Sequence, residues 1–326
     1  MSGIPSAPRI DPQSPGPESP RWSVMIPVCN RTTYLRQTID SVLQQALPAN
    51  EMQISIVDNS TSPIDWSQIL TTDELCRIEI ITQPSHLSMG GNWNTCVTAS
   101  RGRLIHILHD DDWILPGFYT AIDTAARSYP QCVLFACRVF FVDSDGIITG
   151  VSPRLPSLEK SGDPKPFFLA NLAQATNPLQ CPGIVVTRDA YATRGLFSTT
   201  LRYVTDCDMW SRLLDDPWYV APDALCCYRL HTDNVTGAFS RTGDNLREVA
   251  LLVSQLAPKY PNFDLATAMR TIQQSALAQT RQYHDLGDDA GATANLAYYK
   301  SITPLHRRAI IEARAMARRL LNAVGS

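Results

Sequence analysis

The run Arg103-Leu-Ile-His-Ile-Leu-His-Asp-Asp-Asp-Trp113 decides how the rest of the chain is read. Residues 103–108 are β-branched and apolar enough for a buried strand, and Pro116-Gly117 beyond the acids marks a point where a helix can begin. Asp110, Asp111 and Asp112 therefore stand together at a strand end. Adjacent carboxylates repel one another there unless a cation or the hydroxyls of a ligand receive them. In isolation the same run could be a solvated acidic turn capping the next helix, so its neighbours decide the matter.

Working outward, Trp22-Ser-Val-Met-Ile26 reads as a strand that ends at Pro27, followed by a helix with Leu35, Ile39, Val42, Leu43 and Ala46 on one face. Gln53-Ile-Ser-Ile-Val57 is a second strand closing on Asp58-Asn-Ser-Thr61, and Ile78-Glu-Ile-Ile-Thr82 a third. A repeated strand, helix, strand pattern predicts a parallel sheet flanked by helices. Ligands of such sheets collect beyond the carboxyl ends of the strands, which is where Asn30, Asp58 and Asp110 to Asp112 fall. A further helix runs from about Gly91 to Ser100, with Gly90-Gly91 allowing close backbone approach to a flat ligand and Asn92 and Asn94 offering amides near its start.

Downstream, Val133 to Val142 is a long strand that Asp143-Ser-Asp-Gly146 turns into Ile147-Ile-Thr149; the acidic turn lacks the later ligands of a calcium loop and reads as a hairpin. Residues 150–182 are expected to form a partly mobile loop region with a short helix near Phe167 to Leu172. Gly183 to Thr187 is a strand, Thr205 to Leu214 a helix with Asp206 and Asp208 in its first turn, and Cys226 to Thr236 ends the sheet with His231 at a strand terminus. From Asn245 onward the pattern is helical, broken at Gly287 and Pro304. This divides the chain into a leader over 1–21, an α/β domain over 22–240 and a helical region over 241–326.

Composition narrows the function classes. The 326 residues are 44% hydrophobic, enough for a substantial core, and a net charge of −3 offers no basic field for nucleic acid. Nine cysteines without a C-x-x-C pair suggest reduced, buried thiols and a cytoplasmic protein. Six prolines in residues 1–21 predict a disordered leader, and no segment reaches the roughly 18 uninterrupted apolar residues of a membrane span. The expectation is a soluble or at most peripheral protein. In the last helix, 305–324, Ile310, Leu320 and Val324 share one face beside Arg307, Arg314 and Arg318; that face is expected to pack on the neighbouring helices, with contact to an anionic membrane surface as the alternative.

Several of these stretches, in this order, resemble the family 2 glycosyltransferases: Val24-Met-Ile-Pro-Val-Cys-Asn-Arg31, Val57-Asp-Asn-Ser60, Asn92-Trp-Asn94, Leu108 to Trp113, Asp206-x-Asp208-x-Trp210-x-Arg212 and Tyr228-Arg-x-x-231. The resemblance covers residues 22–235. It implies an inverting, non-processive enzyme of GT-A fold, a Rossmann-like mostly parallel sheet flanked by helices, here with a C-terminal helical extension. The donor would be a nucleotide sugar, a UDP-sugar first among them, and the acceptor a glycan, lipid-linked or protein hydroxyl. By the same resemblance Pro27, Cys29, Asn30, Arg31, Asp58, Asn92, Asn94, Asp110 and Asp111 meet the nucleotide sugar, with Cys29 standing where the family usually has an aromatic. Asp111 and His231 would hold Mn²⁺ or Mg²⁺. Asp206 would be the base, with Asp208 as a secondary candidate and Thr205 in place of the usual glutamate, while Asp112 would be a secondary candidate for a place behind the metal or on the acceptor side. Transfer from a diphosphate leaving group calls for such a cation, and a hydroxyl nucleophile calls for such a base. A nucleotide-sugar-forming nucleotidyltransferase would want a glycine-rich loop after the first strand, which Pro27-Val-Cys-Asn30 is not. An inactive GT-A-like binding module is the other alternative.

Overall fold

The computed structural model describes residues 19–156, 163–231, 235–306 and 308. Most of the proline-rich leader and of the C-terminal arginine-rich helix, including its membrane reading, lies outside them. The first strand, β1 (Trp22–Val28), is buried at every position because it lies between two neighbours, β2 (Met52–Asp58) and β4 (Leu104–Ile107), both parallel to it. A strand covered on both faces needs apolar residues throughout rather than at alternate positions, and both β2 and β4 read the same way. The third strand, β3 (Glu79–Thr82), extends the parallel run beyond β2.

Between these strands come α1 (Leu35–Leu43), α2 (Thr72–Arg77) and α3 (Met89–Ala99). The first helix buries Leu35, Ile39 and Val42, but Ala46 has φ +56 and lies beyond the helix end, so the apolar face is shorter than the sequence suggests. A two-residue strand, β5 (Trp113–Ile114), follows the acids, and α4 (Phe118–Ser128) starts after Gly117, whose φ of +87 suits glycine.

The second half of the sheet is mixed. β6 (Leu134–Val142) turns into β7 (Ile148–Val151) through the predicted hairpin, where Asp143 Oδ1 accepts from the backbone N–H of Asp145 and Ile147. After α5 (Pro164–Ala173), β8 (Ile184–Thr187) inserts antiparallel between β4 and β6, and α6 (Arg188–Arg194) and α7 (Thr205–Arg212) lead to β9 (Trp218–Arg229). The sheet order is β3-β2-β1-β4-β8-β6-β9-β5, with β7 on β6. Because β8 opposes both neighbours, β6 regains the direction of β4, and β9 runs parallel to β6. The carboxyl ends of β1, β2, β4 and β9 therefore open on one edge.

The chain divides into two compact units, Met1–Asn171 with Thr176–Thr232, and Leu172–Ala175 with Asp233–Ser326. The second unit contains α8 (Val235–Thr242), α9 (Asp244–Leu256), α10 (Leu265–Asp285) and α11 (Asp289–Ile302). Helix therefore starts before Asn245, and Gly243 at φ +73 separates its first two helices. Asn295 holds the first of them to α11 by donating to the carbonyls of Ser240 and Arg241. All nine cysteines are unpaired and seven are buried. Among the described residues no helix is long and apolar enough to cross a membrane.

Candidate active site

The loops after β1 and β2 are tied to one another. Pro27 is buried within β1 beside Val57, and Cys29 is exposed, its thiol 3.7 Å from the Asn59 carbonyl. Burial and then the charges of Asp110 and Asp58 push that thiol's pKa up. Asn30 adopts the left-handed conformation at φ +59, which asparagine tolerates better than most residues. Its N–H donates to Ser60 Oγ, and its side-chain oxygen accepts from the N–H and hydroxyl of Thr61. Asp58 is 3% exposed and accepts from the Ser60 N–H. The turn so formed aims Arg31 across the sheet edge.

There Arg31 meets the acids. Its Nη2 donates to Asp110 Oδ1 at 3.0 Å and to Asp111 Oδ2, and its Nη1 lies 3.0 Å from His231 Nε2. The same imidazole nitrogen is 3.0 Å from Asp111 Oδ2. Burial and then the neighbouring Asp111 push the pKa of Asp110 up to about 7. Burial works the same way on Asp111, but the charges of His109 and Arg31 outweigh it and hold that carboxyl below the usual range.

Asp112 belongs to the scaffold. It is 1% exposed, accepts from the Arg229 N–H at 2.7 Å and pairs with His109 Nδ1 at 3.2 Å. Burial and Asp111 raise its pKa to about 6. His109 stacks on Trp93 at 5.2 Å, and its contacts to Asp112 and Cys181 overcome burial to keep it protonated well above the ordinary histidine value.

The two carboxylates of α7 separate cleanly. Asp208 is buried and paired at 3.1 Å with Arg212, whose guanidinium also donates to the carbonyls of Arg194 and Leu196. Asp206 instead accepts from Asn177 Nδ2 and from the Cys207 N–H, neither of which carries a charge. Burial raises its pKa, partly offset by the Cys207 N–H and by the charge of His109, which acts on Asp111 as well. Asp206 therefore shares an electrostatic neighbourhood with the acidic strand end while making no ion pair of its own among the described residues. That suits a proton acceptor.

The asparagines of α3 serve the fold. Asn94 donates to the Phe197 carbonyl and accepts from the Phe197 N–H, which occupies its amide on both sides. Asn92 accepts from Gln83 and points its amide nitrogen at the Val57 carbonyl, so both are buried props for loops. The close approach at Gly90 is to the chain's own backbone: a Cβ there would stand 2.2 Å from the Ser198 carbonyl oxygen. Thr205 donates to that same oxygen, which accounts for a threonine at the start of α7.

Glycosyl transferase family 2 matches residues 23–183. Over this segment, just under half of its length, the chain matches that family. The chain is 28% identical over 210 residues to the uncharacterized protein MT1568 of Mycobacterium tuberculosis, a match spanning 62% of this chain and 64%, under two thirds, of that relative. Its fold is that of S. aureus TarS 1–349, with TM-score 0.54 and 13% identity over 86% of this chain and 92% of that one. The mannosyltransferase PcManGT of Pyrobaculum calidifontis, solved with GDP-Man and Mn²⁺, aligns at TM-score 0.53 and 14% identity over 97% of this chain and 84% of that one. Both are GT-A structures, and the curled, mostly parallel sheet described above is the fold they share.

Asp111 Oδ2 and His231 Nε2 lie 3.0 Å apart and already face one positive group, the Arg31 guanidinium, so the donor set fits a divalent cation. Among the described residues His109, Asp111 and Asp112 also bring potential ligand atoms within 4.8 Å of one another. That trio is the poorer match, because Asp112 is committed to Arg229 and His109.

The site also depends on a residue that sequence reasoning passed over. Arg229 is 2% exposed; Nε donates to the Asp111 carbonyl, Nη1 to those of Asp143 and Ser144, and Nη2 to Gln37 Oε1. Its guanidinium carbon lies 4.1 Å from the ring centroid of Tyr34 and 4.9 Å from that of Trp113. The signal was an arginine inside the apolar run Cys226-Cys-Tyr-Arg-Leu230, since a buried guanidinium demands partners.

Proposed function

We propose that the transferase moves a sugar from a nucleotide diphosphate donor, a UDP-sugar first among the candidates, to a hydroxyl acceptor with inversion at the anomeric carbon. The observation carrying this reading is the division of labour among carboxylates. Asp110 and Asp111 gather around a cation position, while Asp206 has no ionic partner among the described residues and a pKa raised by burial. Asp111 and His231 would hold Mn²⁺ or Mg²⁺, whose charge would offset that building on the departing diphosphate. Pro27, Cys29 and Asp58 line the strand ends where the nucleotide would lie, and the Asn30 clasp keeps their loops formed before it arrives. Asp206 would take the acceptor's proton as its oxygen attacks, and the His109 charge keeps enough of that carboxyl ionised to do so.

The donor choice draws support from TarS, whose fold this chain shares and which has been solved with UDP-GlcNAc. The GDP-Man bound to the mannosyltransferase makes GDP-sugars the second set to try. Incubation with UDP- and GDP-sugars and Mn²⁺ tests the reading. Slow hydrolysis releasing nucleoside diphosphate is expected. Release of pyrophosphate from a sugar phosphate and a nucleoside triphosphate, or no turnover with any donor, would overturn it.

A further inference from the structure

The acidic strand end already holds a cation of the chain's own. Arg31 donates to Asp110 and Asp111 and faces His231 Nε2 at 3.0 Å. An arginine nitrogen can only donate, so the contact with His231 uses the bare lone pair of the imidazole. That lone pair also sits 3.0 Å from Asp111 Oδ2. Two acceptors tolerate such a separation when a positive group is shared between them, and the guanidinium is that group.

The atoms that grip Arg31 are thus the atoms assigned above to a divalent ion. Asp111 Oδ2 and His231 Nε2 cannot serve both in the same arrangement, so one cation must leave for the other to enter. Arg31 is built to leave. Its side chain is 26% exposed, its guanidinium carbon lies 5.9 Å from the ring centroid of Tyr34, and among the described residues its buried Nε has no hydrogen-bond partner. Losing the two carboxylates would still cost the guanidinium dearly unless a new planar anion replaced them, and a diphosphate is such an anion.

We propose that Arg31 is a resident counter-cation of this strand end, which yields its place to a divalent ion only when a diphosphate arrives to receive the displaced guanidinium. Metal and nucleotide binding are then coupled through one side chain, and by linkage each strengthens the other equally. This rests on the metal reading given above. It adds that the ion alone binds poorly because it must expel an arginine.

The test uses the whole protein, Mn²⁺ alone followed by the free-ion electron paramagnetic resonance signal, and UDP affinity by calorimetry with and without Mn²⁺. In Arg31→Met the ion alone should bind tenfold tighter or more, and the gain in UDP affinity on adding Mn²⁺ should shrink by a similar factor. Arg31→Lys keeps one charge but loses the planar fork, so it should fall between wild type and Arg31→Met, and it decides the matter if the methionine variant does not fold. Wild type that binds UDP more tightly with Mn²⁺, beside arginine variants that bind Mn²⁺ alone no better, would overturn the exchange while sparing the metal site. UDP affinity indifferent to Mn²⁺ in wild type and in Asp111→Ala alike would overturn the metal reading itself, and the exchange with it.

Discussion

Replacing Arg229 by methionine keeps an unbranched stem of similar length and deletes every polar contact of the guanidinium. Among its partners, the carbonyls of Asp111, Asp143 and Ser144, and Gln37 Oε1, lose a charged donor. At about 1.5–3 kcal/mol for each hydrogen bond to a charged group the gross loss is on the order of 6–12 kcal/mol. Ser144 and Gln37 are exposed and regain water, which leaves the Asp111 and Asp143 carbonyls and the two ring contacts as the real loss. Each ring contact contributes about 0.5–2 kcal/mol. The net expectation is a destabilisation of about 4–10 kcal/mol, read by urea denaturation with an unchanged slope. A second readout is local: Asp111 loses the tie on its backbone, so Mn²⁺ affinity in the presence of UDP should fall tenfold or more even at temperatures where the variant is fully folded. A loss of stability below about 1 kcal/mol with metal affinity intact would refute the assignment of Arg229 as the clamp of the strand end.

Three further outcomes follow from the geometry. Asp206→Asn should lower turnover on the order of 10²-fold with donor affinity nearly unchanged, whereas Asp208→Asn should lower the melting temperature by breaking the pair with Arg212; the reverse pattern would mean the carboxylates are exchanged. Because burial raises the Asp206 pKa and a base works only when ionised, kcat/KM should rise with pH through a limb above the ordinary aspartate value of about 3.9, and His109→Asn should move that limb higher by removing a charge that favours the carboxylate; a limb that stays put on removing His109 would separate the two residues. Gly90→Ala would set a Cβ 2.2 Å from the Ser198 carbonyl oxygen, and a loss of more than about 2 kcal/mol in chemical denaturation is expected from the forced shift of backbone, with a neutral effect counting against this packing.

The acidic strand end and the parallel half of the sheet were legible because both are local: apolar runs of strand length, breaks at Pro27 and Asp58, and three acids in a row. What stayed hidden is non-local. Nothing near Asn94 indicates that its amide is paired with the backbone of Phe197, 103 residues away. The start of β9 was missed because Pro222 and Asp223 interrupt its apolar pattern, and these are the two positions of the strand that stand exposed. The antiparallel insertion of β8 cannot be read from Ile184–Thr187, since an apolar tetrapeptide carries no sign of direction. Arg31 was placed near the nucleotide, but its grip on both acids and His231 depends on strands whose ends meet only in the folded sheet.

The position of β9 also bears on how the protein can be made. It is among the last strands by chain order yet lies between β6 and β5, and among the described residues β5 has no other strand partner. During synthesis the long apolar strand β6 must therefore wait for residues 218–229 to leave the ribosome before that edge is covered, and until His231 follows, Asp111 lacks its imidazole neighbour. The segment 23–183 by which the family is recognised stops before that strand. Expressed alone, it would display an unpaired hydrophobic edge and associate with copies of itself, so a soluble fragment has to extend at least through β9.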